Sequence, residues 1–330
     1  MKYRALVVEE NAQNSFSRKI KFLETDNLPK NEVLIKVTYS SLNYKDALSA
    51  RGHKGISRIY PHTPGIDAAG IIVSDSTNKF SAGDIVLVTG YDLGMNTFGG
   101  FGEFISVPAA WVIKIPNGLS DAESMMYGTA GFTAAICVRE IMRNEIKPDA
   151  GDILVTGATG GVGLIAVGIL SRLGYTVTAS TGKLQKTDML KSMGATNVID
   201  RSVVYDLTGK PLLPAKWSAV IDTVGGNTLS TATRSTKMHG IICVLGNVES
   251  DILNITVYPF LLRGVSIIGI DSASKNMELR ETIWNNLAND WKIPNLSNYI
   301  NEVGLDNLTE EIDKILQGKQ FGRILVNLNK

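Results

Sequence analysis

A regular alternation of strands and helices begins at Gly151 and constrains the fold more than any other feature of the chain. Apolar segments typical of buried parallel strands recur from that point, and most are separated by helical segments. The predicted strands read DILVTG, YTVTAS, TNVID, WSAVIDTVG, GIICVLG and VSIIGID. A helix is predicted at 228–237, between WSAVIDTVG and GIICVLG. Because a helix between two strands makes them a parallel crossover unit, this order predicts an α/β fold with a doubly wound parallel sheet.

The part of the chain before Ser120 carries a different pattern, in which short strands follow one another. In EVLIKVTY, the apolar residues Val33, Ile35 and Val37 alternate with other residues, which is the period of a strand. The segments AGIIVSD, GDIVLVTG and FGEFISVP follow, each approached by a turn that contains glycine. This spacing is typical of a small barrel-like β domain.

Two further segments complete the domain organisation. Ser120 and Glu123 have the spacing of a capping box, which predicts a helix that continues to about Arg143. After Pro294, a strand, a helix and the final strand GRILVNL follow, and we expect them to rejoin the first domain. The predicted domains are 1–123 plus 295–330 for the β domain, and 124–294 for the nucleotide-binding domain.

Charge and cysteine usage exclude several classes of protein. Lys and Arg number 33 against 32 Asp and Glu, so no basic field is available to collect nucleic acid or an anionic membrane. The longest apolar stretch, 162–170, is too short to span a bilayer, and from the residues MKYRALVVEE we expect no signal peptide. Cys137 and Cys243 form no CxxC pair, which excludes a disulfide framework and a four-cysteine zinc lobe. We expect a cytoplasmic protein.

A glycine-rich segment between the first predicted strand and helix of the second domain is the strongest chemical signal. In VTGATGGVG, Gly157 permits a tight turn, and Gly160 and Gly161 allow the backbone to approach a pyrophosphate. Gly163 lets the helix pack closely on the sheet, and the helix N-terminus offers free N–H groups to phosphate. Glycine-rich turns also close strand–helix connections without a ligand, but the repeated crossover units favour a dinucleotide site.

The end of the second strand indicates which dinucleotide is bound. Enzymes that use NAD usually place an acidic residue there to bind the ribose hydroxyls, but here no acid occurs before Asp188. Hydroxyl groups, an ammonium group and a guanidinium group beyond the third strand suit a 2′-phosphate. Taken singly, the lysine and the arginine could be ordinary solvated residues, but together they favour NADPH. The candidate residues are Ser180, Thr181, Gly182, Lys183 and Arg201.

The first domain lacks the residues that a zinc alcohol dehydrogenase needs. Its only histidines are His53 and His62, on a stretch typical of a loop, and no cysteine precedes Cys137. Each histidine is therefore expected to be a surface or capping residue, and we predict no metal site. Without a Lewis acid, hydride delivery suits an acceptor that is already activated, such as an enone, an unsaturated thioester or a quinone.

Candidate catalytic residues lie in PGID and in the segment that follows the strand EVLIKVTY, where we predict a loop that faces a cleft. Tyr44 either contacts the nicotinamide ribose and supplies a proton, or is a packing tyrosine. Asn43 is either a catalytic residue or one that fixes a turn, and Asp67 is either a polar anchor in a cleft or a cap. In the segment YGTAG, which includes Thr129, two glycines interrupt a predicted helix. They predict a close approach to the backbone by the nicotinamide end of the cofactor.

Taken together, the motifs resemble a known family. SSLNYKDAL, PGIDAAG, YGTAGFTA, VTGATGGVG, STGK with LKSMGA, VIDTVGG and FLLRGVSIIGIDS occur in order over nearly the whole chain. They resemble the YhdH/YhfP-type quinone oxidoreductases, which are zinc-independent members of the medium-chain dehydrogenase/reductase superfamily and include NADPH-dependent acrylyl-CoA reductases.

The resemblance implies a Rossmann domain inserted in a GroES-like β-barrel catalytic domain, NADPH as the cofactor, and a homodimer. By position it assigns cofactor contacts to Tyr44, to Thr159, Gly160, Gly161 and Val162, to Thr181, Gly182 and Lys183, to Arg201, and to Leu245 and Ile270.

The predicted function is hydride transfer from NADPH to the β-carbon of an alkene conjugated to a carbonyl or thioester, as in an acrylyl-CoA reductase. Two alternatives remain: an NADPH:quinone oxidoreductase, and an NADPH-binding sensor or RNA-binding protein with little catalysis. The expected partner is therefore a small-molecule substrate rather than nucleic acid or a membrane.

Overall fold

The computed structural model describes residues 1–12 and 15–330. The strands are β1 (Lys2–Glu10), β2 (Phe16–Glu24), β3 (Val33–Leu42), β4 (Asp67–Asp75), β5 (Ile85–Thr89), β6 (Phe104–Val107), β7 (Ile113–Lys114), β8 (Ile153–Val155), β9 (Val177–Thr181), β10 (Asn197–Asp200), β11 (Trp217–Asp222), β12 (Thr236–Val244), β13 (Ser266–Gly269), β14 (Ile300–Gly304) and β15 (Arg323–Asn327). The helices are α1 (Tyr44–Ala50), α2 (Asp121–Arg143), α3 (Gly161–Arg172), α4 (Thr187–Ser192), α5 (Gly226–Arg234), α6 (Tyr258–Arg263), α7 (Met277–Ala288) and α8 (Leu308–Leu316).

The chain divides into two compact units. The first unit consists of Met1–Thr129, Ser272–Asn289 and Asn295–Lys330, and the second consists of Ala130–Asp271 and Asp290–Pro294. The predicted nucleotide-binding domain, 124–294, also contains α7, which belongs to the first unit. The predicted domain limits therefore stay a prediction, since compact units and domains defined by function need not coincide.

The first unit is built around β3. This strand pairs antiparallel with β4, β6 and β15, in a sheet of order β14-β15-β3-β4-β5-β7. Val33, Ile35 and Val37 point into the core, whereas Lys36 is exposed, so the alternation predicted from the sequence is confirmed. Because β3, β4 and β15 are neighbours, residues at the end of β3 and at the starts of β4 and β15 meet at one edge of the sheet.

The second unit is a parallel sheet of order β10-β9-β8-β11-β12-β13, in which all described neighbours run parallel. In sequence order this is the 3-2-1-4-5-6 arrangement of dinucleotide-binding folds. The predicted α/β fold class is confirmed. Every residue of β8 and β11 is buried, as expected for the central strands of a sheet covered on both faces. None of the described helices is long and apolar enough to cross a membrane.

Local predictions near the helices were right in part. The capping box at Ser120 and Glu123 is present, with each side chain accepting from the other residue's backbone N–H at 3.0 Å. Helix α2 does reach Arg143, but Gly128 has φ 51° and ψ −156°, so the helix is broken there. The helix predicted at 228–237 ends at Arg234, and β12 begins at Thr236. The loop predicted after β3 is wrong, since Tyr44 begins α1.

Candidate active site

The end of β3 carries a buried polar cluster centred on Asp67. Its Oδ2 accepts hydrogen bonds from Ser41 Oγ at 2.6 Å, Asn43 Nδ2 at 2.8 Å and Thr129 N at 2.9 Å. Its Oδ1 accepts from Thr129 Oγ1 at 2.6 Å. Asp67 is fully buried and Asn43 nearly so. The structure therefore brings together three residues predicted for the site, Asn43, Asp67 and Thr129.

Arg323, at the start of β15, provides the positive charge of this cluster. Its Nη2 donates to Ser41 Oγ at 2.7 Å, and its Nη1 donates to Asn43 Oδ1 at 3.0 Å and to Leu42 O at 3.1 Å. Burial lowers the pKa of this guanidinium, while the charges of Asp67 and Asp46 raise it. Ser41 and Asn43 thus lie between a carboxylate and a guanidinium and bond to both. Sequence reasoning missed Arg323, although an arginine at the start of the apolar strand GRILVNL was a usable signal.

Asp46 is the second buried carboxylate of the cluster. Its Oδ2 accepts from Asn43 N at 2.7 Å, and its Oδ1 accepts from Ile66 N at 2.8 Å. Burial, and secondarily the charge of Asp67, raise the pKa of Asp46 to about 7. These two hydrogen bonds fix the first turn of α1 and connect this helix to the segment before β4.

The break in α2 at Gly128 leaves room for this cluster. A Cβ on Gly128 would lie 2.6 Å from Asp67 Oδ2 and 2.7 Å from Arg323 Nη2, and closer still to Ser41 Oγ. Its positive φ also disfavours any residue with a side chain. The prediction of a close approach at this segment is thus confirmed for the side chains of Ser41, Asp67 and Arg323. An approach by the nicotinamide end of the cofactor stays a prediction.

Tyr44 differs from its neighbours because it is exposed. It is the first residue of α1, and 53% of it is accessible to solvent. Because Asn43 is anchored by Asp46, Asp67 and Arg323, the position of the Tyr44 backbone is set by a buried network. The Tyr44 ring is therefore not part of the described core, and its catalytic role stays a prediction.

The glycine-rich segment closes the turn between β8 and α3. Gly157 has φ 59°, and a Cβ there would overlap Thr223 Oγ1. A Cβ on Gly163 would lie 2.6 Å from Gly157 O, so this glycine lets the helix pack closely on the turn. The close packing on the sheet predicted for Gly163 stays a prediction. Gly160 is the N-cap of α3 and Gly161 its first residue, and Val162 follows half-buried in the first turn. The free N–H groups of this turn suit a phosphate.

The point where strand order reverses, between β8 and β11, has a buried carboxylate that sequence reasoning missed. Asp222 Oδ1 accepts from Thr156 Oγ1 at 2.7 Å, and Oδ2 accepts from Gly225 N at 2.7 Å. Burial raises the pKa of Asp222 to about 6. Thr223 Oγ1 also donates to Thr156 O at 3.0 Å. These hydrogen bonds connect the glycine-rich turn to the segment after β11. The available sequence signal was the presence of polar residues at the ends of two buried strands, in VTG and VIDT.

Residues predicted to bind a 2′-phosphate lie together at the end of β9. Thr181 Oγ1 is 3.1 Å from Thr159 Oγ1 and accepts from Lys183 N at 3.0 Å. The side chain of Arg201 lies against Gly182, where a Cβ would be 3.0 Å from its Nε. Burial, and then nearby Lys186, lower the pKa of Lys183.

A carboxylate that the sequence reading overlooked lies beside this group. Asp200, at the end of β10, pairs in register with Thr181, and it accepts from Ser202 N at 2.9 Å. The Ser202 hydrogen bonds, and to a smaller degree Arg201, lower its pKa, so it is ionised at neutral pH.

The remaining predicted cofactor residues lie along the same edge of the parallel sheet. Ser180 is buried in β9, and its carbonyl accepts from Ala158 N at 3.0 Å. Leu245 follows β12 and donates from its N–H to Asp222 O at 3.1 Å. Ile270 follows β13 and donates to Val244 O at 2.9 Å. All three are therefore at the carboxyl ends of strands, where ligands bind in open α/β sheets.

The histidines of the first unit are separate from this cluster. His53 is exposed and its Nδ1 accepts from Gly55 N at 3.2 Å. His62 is buried rather than at the surface, its Nε2 lies 2.9 Å from Gly94 O, and burial lowers its pKa. Within residues 1–12 and 15–330, no three His, Cys, Asp or Glu side chains are grouped so that they could hold a metal ion.

Sequence profiles of two dehydrogenase domains match the chain. The profile "Alcohol dehydrogenase GroES-like domain" matches 29–117, and "Zinc-binding dehydrogenase" matches 161–289. Curated relatives include "Putative quinone oxidoreductase YhfP" of Bacillus subtilis, 43% identical, and "Acrylyl-CoA reductase AcuI" of Ruegeria pomeroyi, 37% identical, each over 99% of both chains.

Solved structures agree with these matches. The yhdH oxidoreductase of Salmonella enterica, crystallised with NADP, superposes with a TM-score of 0.95 at 36% identity over 98% of this chain and 99% of that one. YhfP of Bacillus subtilis, crystallised with NAD, gives 0.97 at 43% identity over 99% and 100%. The chain therefore belongs to the YhdH/YhfP family of oxidoreductases within the medium-chain dehydrogenase/reductase superfamily.

The raised pKa of Asp46 predicts an unusual pH dependence of stability. Because the folded state binds this proton more tightly than the unfolded chain, the Asp46 contribution to the free energy of unfolding is full below pH 4 and declines up to about pH 7. The loss of stability caused by Asp46→Asn should therefore be larger at pH 5 than at pH 8, as measured by urea unfolding.

Asp75→Asn provides the control. Burial raises the pKa of Asp75, but the hydrogen bonds from Thr77 and Phe80 together outweigh it and lower the pKa, so its contribution is lost only as the pH falls below about 4. Its effect should be equal at pH 5 and pH 8. An Asp46→Asn effect that is also equal at the two pH values would contradict the proton bound at Asp46.

Proposed function

We propose that this chain is an NADPH-dependent reductase of α,β-unsaturated thioesters, with acrylyl-CoA as the model substrate. One observation carries the proposal: hydroxyl and basic side chains lie together at the end of β9, beside the glycine-rich turn. They occur in a chain that aligns over 99% of its length with an acrylyl-CoA reductase. NADP(H) is bound in the Salmonella enterica structure, which supports the same cofactor here.

The residues present fit NADPH. The turn before α3 has no side chain at Gly160 or Gly161 that would keep a pyrophosphate away from the backbone N–H groups. Thr181, Lys183 and Arg201 would hold the 2′-phosphate, since guanidinium and ammonium groups make strong charge-assisted hydrogen bonds to it. The remaining contacts would come from Ser180, Leu245, Ile270 and Thr129. When bound, NADPH supplies a hydride to the β-carbon of the substrate.

We assign the proton for the α-carbon to Tyr44. Hydride addition places negative charge on the thioester carbonyl and the α-carbon, and a proton must then reach that carbon. Tyr44 is exposed, and it follows an asparagine whose side chain is fixed by Asp67 and Arg323. Asn43 and Asp67, predicted as catalytic, act in this proposal by positioning Tyr44 and Thr129.

The homodimer and the cytoplasmic location are also proposals. Strand β13 forms one edge of the parallel sheet, and α6, which packs near β12, exposes Leu261 (72%) and Leu262 (58%). An apolar surface beside an open strand edge suits pairing with a second copy of the chain.

The cytoplasmic location is supported by Cys137 and Cys243, which are both free thiols.

Quinone reduction is the second candidate, because the relative with 43% identity is named for that activity. Binding of NADPH without turnover is the alternative from another class, and the net charge of +1 speaks against its RNA-binding version.

The choice between acceptors rests on initial rates of NADPH oxidation with acrylyl-CoA and with a benzoquinone, each repeated with NADH. We expect a higher kcat/KM for the thioester with NADPH. A higher kcat/KM for the quinone would overturn the thioester assignment, and tight NADPH binding without turnover on either acceptor would favour the sensor.

Tyr44→Phe should lower kcat for acrylyl-CoA by about 100-fold or more, the usual contribution of a positioned general acid, with KM for NADPH changed less. Tyr205→Phe, at another exposed tyrosine, should leave kcat unchanged. If kcat is equal in wild type and Tyr44→Phe, Tyr44 is not the proton donor, and the proton comes from water.

Lys183→Ala should raise KM for NADPH by about tenfold with little effect on KM for NADH, since the ammonium group contacts only the 2′-phosphate in this assignment. Lys216→Ala is the control, because this exposed lysine precedes β11 at the opposite end of the sheet. Equal changes for both cofactors would defeat the 2′-phosphate assignment.

A further inference from the structure

Helix α1 and the turn after it form a strongly basic segment in a chain of balanced charge. Residues 44–59 contain Lys45, Arg51, Lys54 and Arg58 but only one acidic residue, Asp46, whereas the whole chain has 33 basic and 32 acidic residues. Because the Asp46 carboxylate is fully buried, it leaves the surface of this segment entirely basic.

Three of these four cations have no counter-charge. Lys54 Nζ pairs with Glu10 at 2.6 Å. Lys45, Arg51 and Arg58 are exposed and form no ion pair within the described parts of the chain. The segment therefore offers three unpaired positive side chains to an anion in solution.

The backbone that carries these cations is well anchored. Ser49 Oγ and Ser57 Oγ are buried and 2.7 Å apart, and Tyr60 OH donates to Ser49 O at 2.8 Å. Gly52 packs so closely on the Phe16 ring that a Cβ would overlap it. The charged groups are thus held on a fixed backbone, which lowers the entropy cost of binding a ligand.

The spacing from Tyr44 matches a long substrate. Arg51 keeps helical φ and ψ as the C-cap of α1 and is seven residues after Tyr44. Seven residues are almost two full turns, so both side chains leave the same face of the helix, about 10 Å apart along its axis. Arg58 and the exposed Ile59 follow in the anchored turn.

We propose that Arg51 and Arg58 bind the phosphate groups of a coenzyme A thioester whose acyl group reacts beside Tyr44. In coenzyme A a long pantetheine arm separates the thioester from the phosphates, so cations one helix length from the reacting group suit it. Arginine binds phosphate with two parallel hydrogen bonds. A benzoquinone has no such group, so the segment selects for the thioester. This inference rests on the proposed function, because it takes the substrate from there.

The test compares two acrylyl thioesters, of coenzyme A and of N-acetylcysteamine, which share the reacting group but differ in the phosphates. In the double variant Arg51→Glu/Arg58→Glu, we expect KM for acrylyl-CoA to rise by at least about tenfold at low ionic strength. The kcat/KM for the N-acetylcysteamine thioester should stay within about twofold, which also shows that the variant is folded and binds NADPH. Added salt should weaken the wild-type preference for the coenzyme A thioester.

Lys30→Glu/Lys79→Glu is the matched control, with the same change in net charge. Both lysines are exposed and lie near the opposite end of β3, where Val33 pairs with Asp75. If the arginine variant changes KM for acrylyl-CoA no more than this control does, the inference is overturned while the proposed function stands. If the wild type reduces neither thioester, the proposed function fails, and the inference fails with it.

Discussion

The first unit depends on one electrostatic arrangement, the carboxylate of Asp67 and the guanidinium of Arg323 on either side of Ser41 and Asn43. Both charges are buried, and each is tolerable only because the other is close and because hydrogen bonds satisfy its polar atoms. The arrangement joins β3, β4 and β15 to the break in α2. Packing alone would hold these strands together, but it would not fix the direction of a polar side chain at their edge.

Features that depend on local sequence were predictable. The alternation in β3, the capping box at Ser120 and the glycine spacing at 157–163 each follow from steric rules that act over a few residues. The doubly wound parallel sheet followed from repeated crossover units, because their handedness and short connections leave few arrangements. The dinucleotide turn could thus be placed, with its flanking strand and helix, before any contact was known.

Features that depend on distant partners were not predictable in the same way. The segment YGTAG does not predict that Gly128 lies against Ser41, Asp67 and Arg323, because these residues come together only in the folded sheet. The predicted loop at Tyr44 is a helix because Asp46 binds Asn43 N, which required knowing that the carboxylate points back to the end of β3. Likewise, Asp222 and Thr156 meet only because β8 and β11 are neighbours across the reversal of strand order.

The separation between Asn43 and Arg323 has a consequence for how the protein is made. The two residues bond to each other across 280 positions, and the whole parallel sheet is synthesised between them. At about 5–20 residues per second, a ribosome needs on the order of tens of seconds to reach the arginine after the asparagine. During that time Asp46 and Asp67 have been synthesised, but the guanidinium on which their charges act in the folded chain has not. The buried polar cluster at the end of β3 can therefore be completed only after the whole parallel sheet has been synthesised.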